Sequence, residues 1–309
     1  MASSSSVHGR VLLVDGSAIM YRAYHALPQL NDGQGRPTGA IYGFVRMLLK
    51  AIKELQPKYV VVAFDRPEPT FRKQMFIGYQ AQRAEMEPEL AEQFDRVRQL
   101  LQALEIPVVE KPGFEADDLL GTLSLQAKQQ AKQLGINQIV ILTGDKDLMQ
   151  LVDDQVNLYL PVKGVSEAQL IDKQAVIDKL GITPEQVVDY KALVGDPSDN
   201  YPGVHGIGPK TAVKLLAEYH DWDNLWQHLD DLPQSVREKL VQGKSGGELS
   251  RQLARIKRDV DLTMDWNQAK TVVDNPAHLQ QVLQEFGFHS LVKQLNLEQL
   301  SSQKQLQLI

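Results

Sequence analysis

Short apolar runs closed by an aspartate alternate with stretches of helical period through the first half of the chain. Val11-Leu12-Leu13-Val14 ends in Asp15, Tyr59 to Phe64 ends in Asp65, and Ile139 to Leu142 leads through Thr143-Gly144 to Asp145. Continuous runs this short predict strands buried on both faces, as in a parallel sheet. Between them the spacing predicts helices. One is capped by Ser17 and carries Ile19, Met20, Arg22 and Tyr24, and an amphipathic one spans about Ala40 to Leu55. Another runs through Val97, Leu100, Leu101 and Leu104, and a fourth from Gly113–Asp118 to about Leu134. Ile106 to Val109 reads as a short strand. Asn31 to Gly39 and Arg66 to Phe94 read as irregular and polar, the second being long for a connection.

This alternation predicts an α/β domain with a mostly parallel sheet flanked by helices. From about Thr183 onward strand signals nearly vanish, so a helical region follows; there is no internal repeat. Open parallel sheets bind ligands beyond the carboxyl ends of their strands, which is where Asp15, Asp65 and Asp145 fall.

Composition narrows the function only at the margins. The 309 residues include no cysteine, which excludes disulfides and thiolate zinc sites and predicts a reducing cytoplasm. No apolar run approaches membrane-spanning length, and the Ser-rich start Met1–Gly9 lacks the pattern of a secretory signal and reads as disordered. The formal net charge of −6 argues against a nucleic-acid partner until the acids are sorted. Setting aside the nine carboxylates assigned below to a metal site leaves +3.

Those nine are Asp15, Asp65, Glu115, Asp117, Asp118, Asp145, Asp147, Asp196 and Asp199. A single aspartate at a strand end is most often a cap or turn former. Acids delivered by five segments to one sheet edge repel one another and destabilise the fold unless cations neutralise them. Hard oxygen ligands without a His cluster favour magnesium or manganese over zinc. Two such cations ~3.5–4 Å apart clamp the attacking and leaving oxygens of an in-line displacement.

The stretch Gly195 to Ala212 sets two chemistries side by side. Asp196 and Asp199 lie three apart on a Gly/Pro-bounded turn, and Gly206-x-Gly208-x-Lys210 then opens a helix through Ala212, Val213, Leu215 and Leu216. Glycines let the backbone approach another molecule, and amides at a helix start can hold a phosphate without reading sequence. A loop that merely caps a helix is the plain alternative for this stretch alone.

Taken together, Val14-Asp15-Gly16, Ala63-Phe64-Asp65, Gly113-Phe114-Glu115-Ala116-Asp117-Asp118, Thr143-Gly144-Asp145-Lys146-Asp147 and Gly195-Asp196-Pro197-Ser198-Asp199-Asn200 resemble the 5′ nuclease (flap endonuclease) family. The resemblance runs in unbroken order from about Arg10 to the Leu290s and is strongest to the 5′→3′ exonuclease domain of bacterial DNA polymerase I. It implies a PIN-like α/β domain over 10–182 with an arch at about 66–94. A helical DNA-binding region over 183–296 would carry a helix-hairpin-helix at about 184–219, and 297–309 would form a polar tail. It further implies metal-dependent hydrolysis of flapped, nicked or branched DNA in replication and repair. Asp65, Glu115 and Asp117 would hold one metal with Asp15 near it; Asp145, Asp147, Asp196 and Asp199 would serve the second, and Asp118 would be an outer ligand. The hairpin amides of Gly206 and Gly208, with Lys210, would grip duplex phosphate, where family members often hold a potassium ion.

The same resemblance places Arg22, Arg72 and Arg83 near the scissile phosphate, the last two through the arch motif Phe71-Arg72 and Tyr79-x-x-x-Arg83. Polymerase-type members usually have lysine after that tyrosine; here it is Gln80. Periodicity adds one further face: on a helix predicted over Gly247 to Val260, Arg251, Arg255 and Arg258 lie opposite Leu249, Leu253, Ile256 and Val260. Arg237 to Arg258 holds seven basic and two acidic residues, for +5, which suggests a second contact with duplex phosphate against the blander reading of a solvated face. Two other functions compete with flap cleavage. A PIN-type endoribonuclease would normally lack the hairpin, and a DNA-binding scaffold that has lost catalysis would have no need of so many acids. Ending at Ile309, the chain leaves no room for a polymerase domain, so the expected partner beside DNA is a separate DNA polymerase, and the expected state a monomer.

Overall fold

Val11 and Leu13 point to one face of a six-stranded sheet, and Leu12 and Val14 to the other. The computed structural model describes residues 9–164, 167–271 and 275–296. The strands are β1 (Gly9–Asp15), β2 (Tyr59–Ala63), β3 (Val108–Val109), β4 (Ile136–Leu142), β5 (Val156–Lys163) and β6 (Glu167–Ile171), in the order β3-β2-β1-β4-β5-β6. All pairings are parallel except the last, where β6 runs antiparallel to β5. The chain builds outward from β1 to β2 and β3, then returns to place β4 on the other side of β1. The carboxyl ends of β1 and β4 therefore flank the point where the winding reverses, the usual crevice of such sheets.

Helices cover both faces because both are apolar. Against Leu12 and Val14 pack α1 (Gly16–Ala26), α2 (Gly39–Leu55), α4 (Pro88–Ala103) and α12 (Pro276–Glu285). Between α2 and α4 comes the short α3 (Phe71–Met75). Against Val11 and Leu13 pack α5 (Ala116–Gln129) and, beyond it, a helical array. After α6 (Ala131–Leu134) and α7 (Lys173–Leu180), this array contains α8 (Val187–Val194), α9 (Pro209–Tyr219), α10 (Trp222–Gln227) and α11 (Gln234–Ala254).

Several local expectations differ from the structure, each for a physical reason. Ser17 does not cap α1: the Asp15 side chain does, accepting from the Ala18 amide at 2.9 Å, while the Ser17 hydroxyl accepts from the Asp65 amide at 2.9 Å. The expected irregular stretch 66–94 contains α3 and the first turns of α4, which opens with Pro88 at a position that needs no amide donor. The helix expected to run to Leu134 breaks at Gln130. β5 and β6 escape the apolar pattern because Asn157 and Pro161 interrupt the first, and the second is an edge strand, exposed at most positions, with Glu167 and Gln169 breaking its apolar run. Gly9, expected to close a disordered start, is the first residue of β1; residues 1–8 and the expected tail 297–309 lie outside the described residues.

The largest correction concerns the arginine face. The helix expected over Gly247 to Val260 is the end of α11, which stops at Ala254 with Arg255 in extended backbone. Arg255 and Arg258 therefore do not continue the helical face of Arg251.

Candidate active site

Five backbone segments deliver carboxylates to the carboxyl edge of β1, β2 and β4. Asp15 ends β1, Asp65 follows β2, Glu115 caps α5 with Asp117 in its first turn, and Asp145 and Asp147 follow β4. Asp196 and Asp199 come from the turn after α8. That turn is closed on itself by the pairing of Asp196 with Tyr201. Its ends need glycine: Gly195 and Gly203 have φ of +72° and +65°, and a Cβ on Gly203 would lie 2.2 Å from the Gly195 nitrogen.

The acids form one electrostatic system. Asp15 is buried, and its carboxyl is pushed up to about 7, first by burial and then by the neighbouring Asp65; hydrogen bonds from the Ala18 amide and the Thr143 hydroxyl work the other way. Glu115 is likewise raised to about 7, chiefly by burial, against the pull of Arg72. Asp117 is pushed well up, by burial first and then by Asp145, Asp15, Asp65 and Glu115. Asp147 rises to about 6 through burial and Asp145, with Lys191 opposing. Carboxylates held close enough to raise one another in this way suit hard divalent cations, whose charge would reverse the repulsion.

Within this system Asp147, Asp196 and Asp199 each offer an oxygen within 4.8 Å of the others, the geometry of a shared cation. Lys191, on α8, reaches into the same group: its Nζ lies 2.7 Å from Asp147 Oδ1 and makes a second, shorter contact with Asp196 Oδ2. Burial would push Asp196 up, but Lys191 and Ser198 together hold it below its usual range. Nothing in the sequence distinguishes Lys191 from a solvated lysine on an amphipathic helix, and sequence reasoning missed it.

Asp118 and Arg72 do not stand where sequence reasoning put them. Asp118 is fully buried and shares the Arg72 guanidinium with Glu115. It accepts two bonds from Arg72, at 2.7 and 2.9 Å, and others from the Lys257 and Glu115 amides at 2.8 and 3.2 Å. No lone pair remains for an outer-ligand role. Arg72, expected to steer phosphate, is 2% exposed and spends its remaining donors on Glu115 and the carbonyls of Leu253 and Arg255. It braces the site from behind.

The other arch residues do face the acids. The turn after α3 folds onto the Asp199 loop: Arg83 lies 2.8 Å from Asp199 Oδ1, Gln80 Nε2 lies 3.2 Å from the same oxygen, and the Tyr79 hydroxyl donates to Glu115 or Asp199. Gln80 has φ of +53°, a conformation that non-glycine residues seldom adopt. On the opposite side, Arg22 and His25 of α1 line a cavity of about 450 Å³ with Gly144, Asp145 and Gly164. Arg22 Nε donates to the Gly164 carbonyl at 3.2 Å.

Beyond the Asp196–Tyr201 turn, α8 and α9 pack against each other and are joined by the glycine-rich loop. Gly206 (φ +80°), Gly208 and Lys210 are exposed, and a Cβ on Gly208 would meet no protein atom. The open space at Gly208 leaves room for an outside molecule to reach the backbone. Arg251 is committed elsewhere, to Asp189 at 2.7 Å and Asp223 at 2.9 Å, whereas the Arg255 side chain is exposed and the Arg258 Nε is buried without a hydrogen-bond partner.

Two family models divide the chain between them: 5′-3′ exonuclease, N-terminal resolvase-like domain, over residues 10–181, and 5′-3′ exonuclease, C-terminal SAM fold, over 182–277. The chain belongs to the 5′-3′ exonuclease family. This membership makes it a nuclease, as the carboxylate edge indicates. Among curated relatives, the DNA polymerase I of Caldicellulosiruptor bescii is 41% identical over 293 residues, which is 94% of this chain and 34% of that one. That of Bacillus caldotenax is 38% identical over 287 residues, 93% of this chain and 32% of the relative. The exonuclease chain thus spans about a third of the length of these polymerases. Among solved structures, T5 5′-exonuclease with bound zinc superposes with a TM-score of 0.63 at 22% identity, covering 91% of this chain and 98% of that one. At that identity the likeness concerns the fold.

Proposed function

We propose that this 5′-3′ exonuclease hydrolyses DNA phosphodiesters near 5′ ends at flaps, nicks or branches, releasing products with a 5′-phosphate, as primer or flap removal in replication and repair requires. The observation that carries this reading is the meeting of acids from five segments at the winding-reversal point, beside the hairpin of α8 and α9. T5 flap endonuclease in complex with DNA and metal ions shares the fold at a TM-score of 0.62, which is consistent with the reading.

Asp65, Glu115 and Asp117, with Asp15, would hold one Mg²⁺ or Mn²⁺, and Asp145, Asp147, Asp196 and Asp199 the second. Bound there, such cations offset charge on the phosphate and favour ionisation of the attacking water. The chain's own residues do the rest. Gly206, Gly208 and Lys210 grip duplex phosphate without reading sequence, at a position where a potassium ion would also be accommodated. Arg22 faces the cavity beside Asp145 and is placed to orient the scissile phosphate. Arg83 and Gln80 approach from the arch, and Arg72 fixes Glu115 by bonding it from the buried side. The partner molecules are DNA and, for gap filling, a DNA polymerase acting at the same nick; the nuclease acts as a monomer.

The test is cleavage of a 5′-labelled flap duplex with and without Mg²⁺. Release of short 5′-phosphorylated products only with the metal supports the reading; equal cleavage of single-stranded RNA would favour an endoribonuclease instead.

A further inference from the structure

The cation position bounded by Asp147, Asp196 and Asp199 already contains a positive charge supplied by the chain. Lys191 reaches Asp147 and Asp196 together, and its side chain is only 18% exposed. Asp199, the third member, is satisfied separately by Arg83, Gln80 and Tyr79. We propose that Lys191 is a resident counter-cation: it holds Asp147 and Asp196 together when no divalent ion is bound at this group, and it weakens the binding of that ion by opposing its charge. The inference rests on the reading of Asp147, Asp196 and Asp199 as the second cation site.

The physical basis is direct. Three carboxylates within 4.8 Å repel one another, and a metal-free protein must offset that repulsion or lose stability. One ammonium in contact with two of them does so in part. The same ammonium near an entering divalent ion is a like charge in a partly desolvated setting, where unit charges ~4 Å apart still interact strongly. The second site would consequently fill only at higher metal concentration than the group around Asp65, Glu115 and Asp117, which has Arg72 on its buried side but, among the described residues, no lysine bridging its acids. Occupancy of the second site becomes a threshold set by this one side chain.

The experiment counts Mn²⁺ bound to the intact chain without DNA, by titration with electron paramagnetic resonance of the free ion, alongside melting curves in chelator. Wild type should show two classes of site. Lys191→Met and Lys191→Gln should tighten the weaker class by ~10-fold or more, a fraction of the charge effect at this distance. Both should melt lower than wild type in chelator and regain wild-type melting with Mn²⁺. Lys191→Arg keeps the charge and should leave the weaker class near its wild-type affinity. Unchanged or weaker Mn²⁺ binding in the two neutral variants, with the stronger class intact as evidence of folding, overturns the proposal. Equal tightening in Lys191→Arg overturns it too, because space rather than charge would then be responsible. If wild type itself binds a single Mn²⁺ and Asp199→Asn changes nothing, the second-site reading fails instead.

Discussion

Arg72 grips Asp118 with two parallel hydrogen bonds of 2.7 and 2.9 Å, and the pair joins three separate segments behind the acidic edge. Asp118 belongs to the first turn of α5, Arg72 to α3, and the carbonyls of Leu253 and Arg255 that Arg72 also bonds lie where α11 ends. The arch root, the helix that carries Glu115 and Asp117, and the exit of the longest helix are thereby fixed to one another.

Breaking a buried pair of this kind leaves an uncompensated charge. Arg72→Met should cost roughly 3–5 kcal/mol of stability, because Asp118 is left buried and unpaired. Denaturant unfolding monitored by circular dichroism checks it. A steering arginine would instead lose activity at unchanged stability, and that outcome would return Arg72 to the substrate face.

The arch makes a second prediction at Gln80. Its side chain offers a neutral hydrogen bond where a lysine would offer charge, and a preorganised donor at a reacting phosphate is worth ~10²–10³ in rate. Gln80→Lys should raise single-turnover cleavage more than it tightens flap binding, and Arg83→Ala should lower it. No gain from the lysine with a large loss from Arg83→Ala would assign the role to Arg83 alone.

Salt dependence separates the basic residues. Each phosphate contact contributes ~0.9 to the log–log slope of binding against salt. Lys210→Ala and Arg255→Ala, both at exposed positions, should each make the slope shallower by about that amount. Arg251→Ala should leave it unchanged, because its guanidinium is bonded to Asp189 and Asp223. Fluorescence anisotropy across a salt series measures all three.

Much of this was legible in the sequence, and the limits were physical. β1, β2 and β4 announce themselves as apolar runs with an acid behind them, so the acidic edge and a mostly parallel sheet follow from pattern alone, whereas the order in which the strands are wound does not. What the pattern cannot convey is direction. Asp118 sits one residue from Asp117 yet spends its oxygens on Arg72 and two backbone amides, since neighbours on a helix lie ~100° apart and meet different partners. Arg72 is buried by tertiary contacts with residues about 180 positions later, which no local spacing records. The supposed arginine face failed because periodicity continued through a stretch where the backbone turns extended at Arg255. Lys191 became meaningful only once Asp147 was brought to it.

The raised carboxyls predict how pH acts on the metal-free protein. Asp15 and Glu115 titrate near 7 and Asp147 near 6 when folded, against about 4 when unfolded. Between those limits the folded chain binds more protons than the unfolded one, so these groups lower stability as pH rises from about 4 to 7. In chelator the protein should melt lower at pH 8 than at pH 5.5, and Mg²⁺ should raise melting more at pH 8. Differential scanning calorimetry at the two pH values decides this; metal-free melting that is flat with pH would contradict the assignment.

Asp145 tests the central claim most directly, because it stands at the winding-reversal point between both groups of acids and contributes to raising Asp15, Asp117 and Asp147. The measurement is the single-turnover cleavage rate of a labelled 5′-flap duplex by Asp145→Asn at saturating Mg²⁺, with flap affinity measured alongside. The account predicts a rate at least ~10²-fold lower, with affinity nearly unchanged, since charge stabilisation at the phosphate is lost while the grip of the α8–α9 hairpin remains. Near-normal cleavage by this variant would contradict the account.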